Sequence, residues 1–184
     1  MLLRGTYSNG DILTDLDAEA AQIAYGPGYS KTGFAHRGFL AQAAKVISKL
    51  FAHNLFEQAC EVVFTGHSMG SALASICALV CESIQRNVED PELVIKNLPA
   101  GLSLSHEQVA QLGHGQKIHA LGICPPCCLS TDACQYSKDF VSNVVCYKDN
   151  VSRLSRYCIQ ELMQRAKWLK EGNDMCDYCP QEPL

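Results

Sequence analysis

The run Glu61-Val62-Val63-Phe64-Thr65-Gly66-His67-Ser68-Met69-Gly70-Ser71-Ala72-Leu73-Ala74-Ser75 constrains the fold more than any other part of the chain. Residues 62–65 suit a short apolar strand buried on both faces of a parallel sheet, and residues 71–85 suit the helix that follows it. Between them stands Gly66-X-Ser68-X-Gly70, whose glycines let the turn and the helix approach without a Cβ clash. A serine hydroxyl does not ionise at neutral pH, so a catalytic one must be held out of the sheet within reach of a base and of N–H donors. Strand, tight turn and helix in this order form the setting of a nucleophile elbow, and Ser68 is the candidate nucleophile. A plain structural strand–turn–helix is the competing reading.

Val62 to Cys81 carries no Asp, Glu, Lys or Arg. The stretch divides into strand and helix around a polar turn, which excludes a membrane span. Met1 to Gly5 is too short for the apolar region of a signal peptide. Net charge is −4, from 15 Lys and Arg against 19 Asp and Glu, and no basic stripe exists, so a nucleic-acid partner is not expected. At 184 residues and 47% hydrophobic, the chain can bury one sizeable core.

Leu2–Thr6 reads as the end of a strand, and Ser8-Asn9-Gly10-Asp11 as a turn capping a short helix over Ile12–Ala18. Gly26-Pro27-Gly28 and Ser30–Gly33 read as loop. Leu40, Ala43, Ala44, Ile47, Leu50, Phe51 and Leu55 recur at helical spacing and predict an amphipathic helix over 39–59. Residues 86–116, punctuated by Pro91, Pro99, Gly101, Gly113 and Gly115, read as a long inserted connection with a turn of helix at Ser105–Leu112. Lys117–Ile123 and Val141–Tyr147 are two further strands, and a last helix covers about 155–170. Alternating strands and helices predict an α/β fold, a mostly parallel sheet with helices on both faces. One domain spans 1–170, followed by a Cys-containing tail over 171–184.

Eleven cysteines cannot all pair internally. Cys60, Cys77 and Cys81 occupy apolar helical positions and read as small core residues. Cys124-Pro125-Pro126-Cys127 and Cys176-Asp177-Tyr178-Cys179 have spacing suited to a structural zinc, while free thiols are the simpler reading of so distant a pair of motifs. A redox pair of thioredoxin type is a third reading.

Leu3-Arg4-Gly5-Thr6 with Asp11-Ile12-Leu13-Thr14-Asp15-Leu16, then Ala35-His36-Arg37-Gly38-Phe39, then Thr65-Gly66-His67-Ser68-Met69-Gly70 resemble, in order, the landmarks of the class 3 (fungal-type) lipases. Downstream, Pro125-Pro126 with Leu129-Ser130, Tyr136-Ser137-Lys138-Asp139-Phe140-Val141 and Lys148-Asp149-Asn150-Val151-Ser152-Arg153-Leu154-Ser155 resemble the sn-1-specific diacylglycerol lipase branch. The resemblance implies an α/β-hydrolase fold, incomplete at both ends, and a serine hydrolase. Ser68 would attack an acyl ester of diacylglycerol or a related glycerolipid, and water would then release the fatty acid from an acyl-enzyme.

By the same resemblance Asp149 takes the place of the acid that orients the imidazole, with a turn-capping Asp as the alternative. Thr6 matches the oxyanion position and would act with the N–H of Met69; as an alternative it merely ends a strand. His67 and His36 read as structural. Calcium dependence is implied by resemblance alone, since Asp11, Asp15 and Asp17 lack the spacing of an EF-hand loop. The resemblance also implies a membrane surface as partner and a place on its cytoplasmic face.

One departure stands out. The triad order of this fold is Ser, Asp, His, yet the histidines are His36, His53, His67, His106, His114 and His119, and none follows Asp149. Either the chain is a fragment or short form lacking the histidine-bearing loop, or it is an inactive lipid-binding or scaffolding module. Loss at both ends is the simpler expectation.

Overall fold

The computed structural model describes residues 1–5, 19–57, 59–113, 115–149, 151–153 and 164–172. A four-stranded parallel sheet forms the frame, in the order β1 (Leu2–Leu3), β4 (Glu61–His67), β5 (Lys117–Ile123) and β6 (Val141–Val144). Beside it lies an antiparallel hairpin, β2 (Ala20–Tyr25) and β3 (Lys31–His36), joined through a 3₁₀ turn at Pro27–Tyr29. The α/β architecture matches expectation, but β3 begins within the Ser30–Gly33 stretch that reads as loop, and β2 had no assignment. Its strands are rich in Ala and carry Gly33, which weakens their β signal.

Helix α1 (Arg37–Ala52) starts at His36, whose Nδ1 accepts from the Phe39 N–H at 3.4 Å while its ring stacks on Phe39. Its buried stripe of Phe39, Leu40, Ala43, Ala44, Ile47, Leu50 and Phe51 packs against α2 (Met69–Arg86). Every residue of α2 from Met69 to Ile84 is buried, because the helix lies between the sheet and α1. Cys77 and Cys81 sit there, and burial pushes both thiols up from their ordinary pKa. Cys60 is instead exposed: α1 ends at Ala52, so Cys60 falls in the approach to β4 rather than on a helix face.

The 86–116 connection contains two short capped helices. Asp90 caps α3 (Pro91–Lys96) by accepting from Leu93 N–H at 3.0 Å, and Ser105 with Gln108 forms a reciprocal capping box on α4 (His106–Ala110). Val94, Val109 and Leu112 are fully buried, so this segment supplies part of the core. Helix α5 (Thr131–Ser137) leads into β6.

The parallel sheet flanked by helices is as expected, and its two faces differ in exposure among the described residues. Phe64, Gly66, Ala120 and Gly122 face α2, and a Cβ on Gly122 would come within 2.8 Å of the Ser71 Cβ. The alternate residues Val63, Leu121 and Ile123 are 39%, 44% and 44% exposed. The Val62–Thr65 run is therefore half-buried, not buried on both faces. β6 also stops at Val144, short of the expected Tyr147. Residues 164–170 are helical, while the remainder of the expected last helix and the expected helix at Ile12–Ala18 lie outside the described residues.

Candidate active site

Because β1, β4, β5 and β6 run parallel, their carboxyl ends meet at one edge, where open α/β sheets hold their sites. Ser68 follows β4, Cys124 follows β5, and Cys146 to Asp149 follow β6. Ser68 has φ 54° and ψ −125°, a backbone conformation rare for a residue with a side chain. Hydrogen bonds at both its backbone groups hold it there. Its N–H donates to the Ile123 carbonyl at 3.0 Å, and its own carbonyl accepts from Ser71 N–H at 2.9 Å and Ser71 Oγ at 2.6 Å.

The glycines explain how so tight a turn is possible. A Cβ on Gly66 would lie 2.4 Å from the Gly70 carbonyl carbon, and one on Gly70 would lie 2.3 Å from the Leu3 carbonyl oxygen. Any side chain at either position would push α2 off the sheet and move Ser68. Met69 opens α2, where a first-turn N–H has no carbonyl one turn back to bond. Gly5 reaches the elbow from β1, with a Cβ there placed 2.9 Å from the His67 carbonyl oxygen. Thr6, the other expected oxyanion donor, lies outside the described residues.

Asp149 is the centre of a turn. Its N–H donates to the Cys146 carbonyl at 2.9 Å. Its carboxylate accepts from Val151 N–H at 2.9 Å, from Ser152 N–H at 3.3 Å and from Ser152 Oγ at 2.6 Å. The Ser152 hydroxyl foremost, with the Val151 N–H and the Cys124 thiol, holds the carboxyl below its ordinary pKa. Asp149 thus caps the turn that follows β6. Ser152 carried no assigned role in the sequence, since a hydroxyl three residues from an Asp has no fixed spacing signal.

The histidines stand elsewhere. His119 Nε2 is 3.7 Å from Glu61 Oε1 in mid-sheet, His106 pairs with Glu92 at 2.9 Å, His53 ends α1 and His36 begins it. His67 precedes Ser68 on the exposed side of β4, and His114 is outside the described residues. Of the Cys-X-X-Cys motifs, Cys176 and Cys179 lie outside the described residues, and among the described residues no group of three or more His, Cys, Asp or Glu is placed to hold a metal ion.

Two cavities lie on the α2 side. A cavity of about 320 Å³ is lined by Pro125, Pro126, Leu129, Val141 and Val145, and reaches Ser152 beside the Asp149 turn. A larger one, about 910 Å³, is lined by Lys31, Arg86, Asp132 and Tyr136. Arg86 ends the helix that Ser68 begins, about 27 Å away at 1.5 Å per residue, so the larger cavity is remote from Ser68.

The family profile described as Lipase (class 3) matches residues 1–157. The chain belongs to the class 3 lipase family. It is 28% identical over 171 residues to diacylglycerol lipase-beta of Mus musculus, covering 89% of this chain and 21% of that protein. It is 26% identical over 163 residues to diacylglycerol lipase-alpha of Homo sapiens, covering 83% and 13%. The chain thus spans about a fifth or less of the length of these relatives. Among solved structures, a fungal lipase–inhibitor complex superposes with TM-score 0.54 at 22% identity, over 85% of this chain and 51% of that one. M37 lipase gives TM-score 0.52 at 16% identity, over 98% and 51%. This class 3 lipase chain therefore shares the α/β-hydrolase fold of both. No described helix is long and apolar enough to cross a membrane.

Proposed function

We propose that this class 3 lipase chain contributes the nucleophile and the acid of a serine hydrolase site acting on an acyl ester of diacylglycerol or a related glycerolipid. The observation that carries the reading is that the strained Ser68 turn and the hydrogen-bonded Asp149 turn both lie beyond the carboxyl ends of parallel strands, β4 and β6. Ser68 Oγ attacks the ester carbonyl as an imidazole takes its proton, and the N–H of Met69 with Thr6 receives the developing O⁻, each donor being worth about 3 kcal/mol of barrier. The tetrahedral intermediate expels the glyceride alcohol, which takes up the proton. Water then releases the fatty acid from Ser68, while Asp149 orients the imidazole and stabilises its charged form.

The lipid substrate draws support from the named relatives and from the apolar cavity beside Ser152, which suits an acyl chain. An insoluble substrate is met at a membrane surface. Residues 1–170 then act as one hydrolase domain and 171–184 as a tail.

A second reading, lipid binding without turnover, draws support from the apolar cavity beside Ser152 alone. Vesicles containing diacylglycerol separate the two. Release of fatty acid and monoacylglycerol by the wild-type chain, lost in Ser68→Ala, supports hydrolysis; vesicle binding of both proteins with no release supports the second reading.

A further inference from the structure

We propose that the cavity walled by Lys31, Arg86 and Tyr136 binds a small, singly phosphorylated polyol at a site separate from Ser68. Its volume, about 910 Å³, lies within the range of small-molecule pockets. Three segments of the chain meet around it: the β2–β3 hairpin, the end of α2, and α5 with the residues that follow it.

Printed contacts fix these segments against one another before any ligand arrives, which lowers the ordering cost of binding. Asn87, directly after α2, accepts the Gly28 N–H on Oδ1 at 2.6 Å and donates through Nδ2 to the Gly26 carbonyl at 2.9 Å. Ser83 Oγ accepts from the Gly26 N–H at 3.2 Å. On α5, Tyr136 packs against Tyr25 of β2 with ring centroids 5.1 Å apart.

Each segment contributes one cation: Lys31, Arg86 and Lys138. The Lys31 ammonium stands 5.0 Å from the centre of the Tyr136 ring. The Tyr136 hydroxyl donates to Glu82 Oε2 at 2.8 Å, and Glu82 Oε1 accepts from Arg86 Nε. Glu82 is 5% exposed, whereas the Arg86 side chain is 52% exposed and lines the cavity. The buried carboxylate therefore grips Arg86 through Nε, and the two terminal amino groups remain as a fork that matches phosphate oxygens.

The carboxylates in the cavity limit the charge of the ligand. Asp132 and Asp139 line it, yet among the described residues neither forms an ion pair with the three cations. They leave the cations room for one phosphate monoester and repel a second. Ionised carboxylates only accept hydrogen bonds, so they suit the hydroxyls of a polyol.

Position selects a free ligand over a lipid headgroup, a choice that rests on reading Ser68 as the site of lipid chemistry. Arg86 is about 27 Å from Ser68 along α2, while the headgroup layer of a bilayer is about 5–8 Å thick.

The test titrates the folded full chain calorimetrically with glycerol 3-phosphate, with inorganic phosphate and with phosphatidylglycerol vesicles. Saturable binding of glycerol 3-phosphate, tighter than that of inorganic phosphate, is expected. Arg86→Gln should weaken it about 10–100-fold, the worth of a charge-assisted hydrogen bond. Lys138→Gln, at an exposed position, should weaken it about tenfold and serves if Arg86→Gln unfolds by stranding Glu82. Asp132→Asn should reduce the preference over inorganic phosphate, and Lys45→Gln, exposed on α1 outside the cavity, should change nothing. Absence of saturable binding by folded protein, equal affinity for inorganic phosphate, or cavity variants that bind no more weakly than Lys45→Gln overturns the proposal. Vesicle binding without binding of free glycerol 3-phosphate also overturns it, by assigning the site to a headgroup. Failure of Ser68 to react with a fluorophosphonate speaks against the nucleophile reading and leaves the titration result standing.

Discussion

The backbone N–H of Ser68 is bonded to the carbonyl of Ile123 at 3.0 Å, across the strand boundary between β4 and β5. That contact ties the candidate nucleophile to the residue directly before Cys124, whose own N–H donates to the Val144 carbonyl at the end of β6 at 2.8 Å. The end of β5 therefore anchors both the Ser68 turn and the strand end that leads to Asp149, although neither residue lies on that strand. The geometry has consequences for stability as well as chemistry.

Ser68 holds a positive φ at a cost of about 1–3 kcal/mol, which glycine does not incur. Ser68→Gly is expected to raise stability by about 1 kcal/mol while eliminating any acyl transfer. Urea unfolding of the two proteins, compared by midpoint at constant slope, measures the difference.

Gly70 approaches β1 so closely that Gly70→Ala would drive its Cβ to 2.3 Å from the Leu3 carbonyl oxygen. Overpacking against backbone cannot be relieved by a rotamer change, so a loss of about 3 kcal/mol is expected. Gly113→Ala, whose Cβ meets nothing within 4 Å, is the control and should lose little. Thermal unfolding of both variants checks the contrast.

Glu82 is buried on α2 and is held by Arg86 and by the Tyr136 hydroxyl at 2.8 Å. Tyr136→Phe deprives a buried carboxylate of one donor and is expected to cost about 1.5–3 kcal/mol. In a Glu82→Gln background the same change should cost less, and a double-mutant cycle of unfolding free energies reads the coupling.

The Asp149 carboxyl titrates below its ordinary value because the folded state hydrogen-bonds the ionised form, Ser152 Oγ above all. The stabilisation this brings is complete above the ordinary carboxylate pKa of about 3.9 and is lost as pH falls through the lowered folded value. Wild-type stability should thus fall on acidification by an increment that Asp149→Asn lacks. Equilibrium unfolding of both proteins across the acid range measures it.

Much of this arrangement was legible in the residues. The uncharged run predicts both β4 and α2, and Lys117–Ile123 matches β5 residue for residue. Features set by tertiary contact were less legible. The Ala-rich β2 gains its strand conformation from pairing with β3, as its own β propensity is weak. β6 is cut short because the Asp149 N–H turns back to the Cys146 carbonyl, a bond invisible in a run as strand-like as Val144-Val145-Cys146-Tyr147. Cys60 kept a helical spacing in the sequence while the helix itself stopped at Ala52. Asp149 was found only through motif order, and its partner Ser152 only through the folded turn.

The central claim is that Ser68 is a nucleophile held ready by its turn. It is tested most directly by treating the folded chain with a serine-directed fluorophosphonate and locating the adduct by mass spectrometry. A single adduct on Ser68, absent in Ser68→Ala and weakened in Asp149→Asn, is the predicted result. Folded protein that remains unlabelled at Ser68, or that is labelled equally in Ser68→Ala, would contradict it.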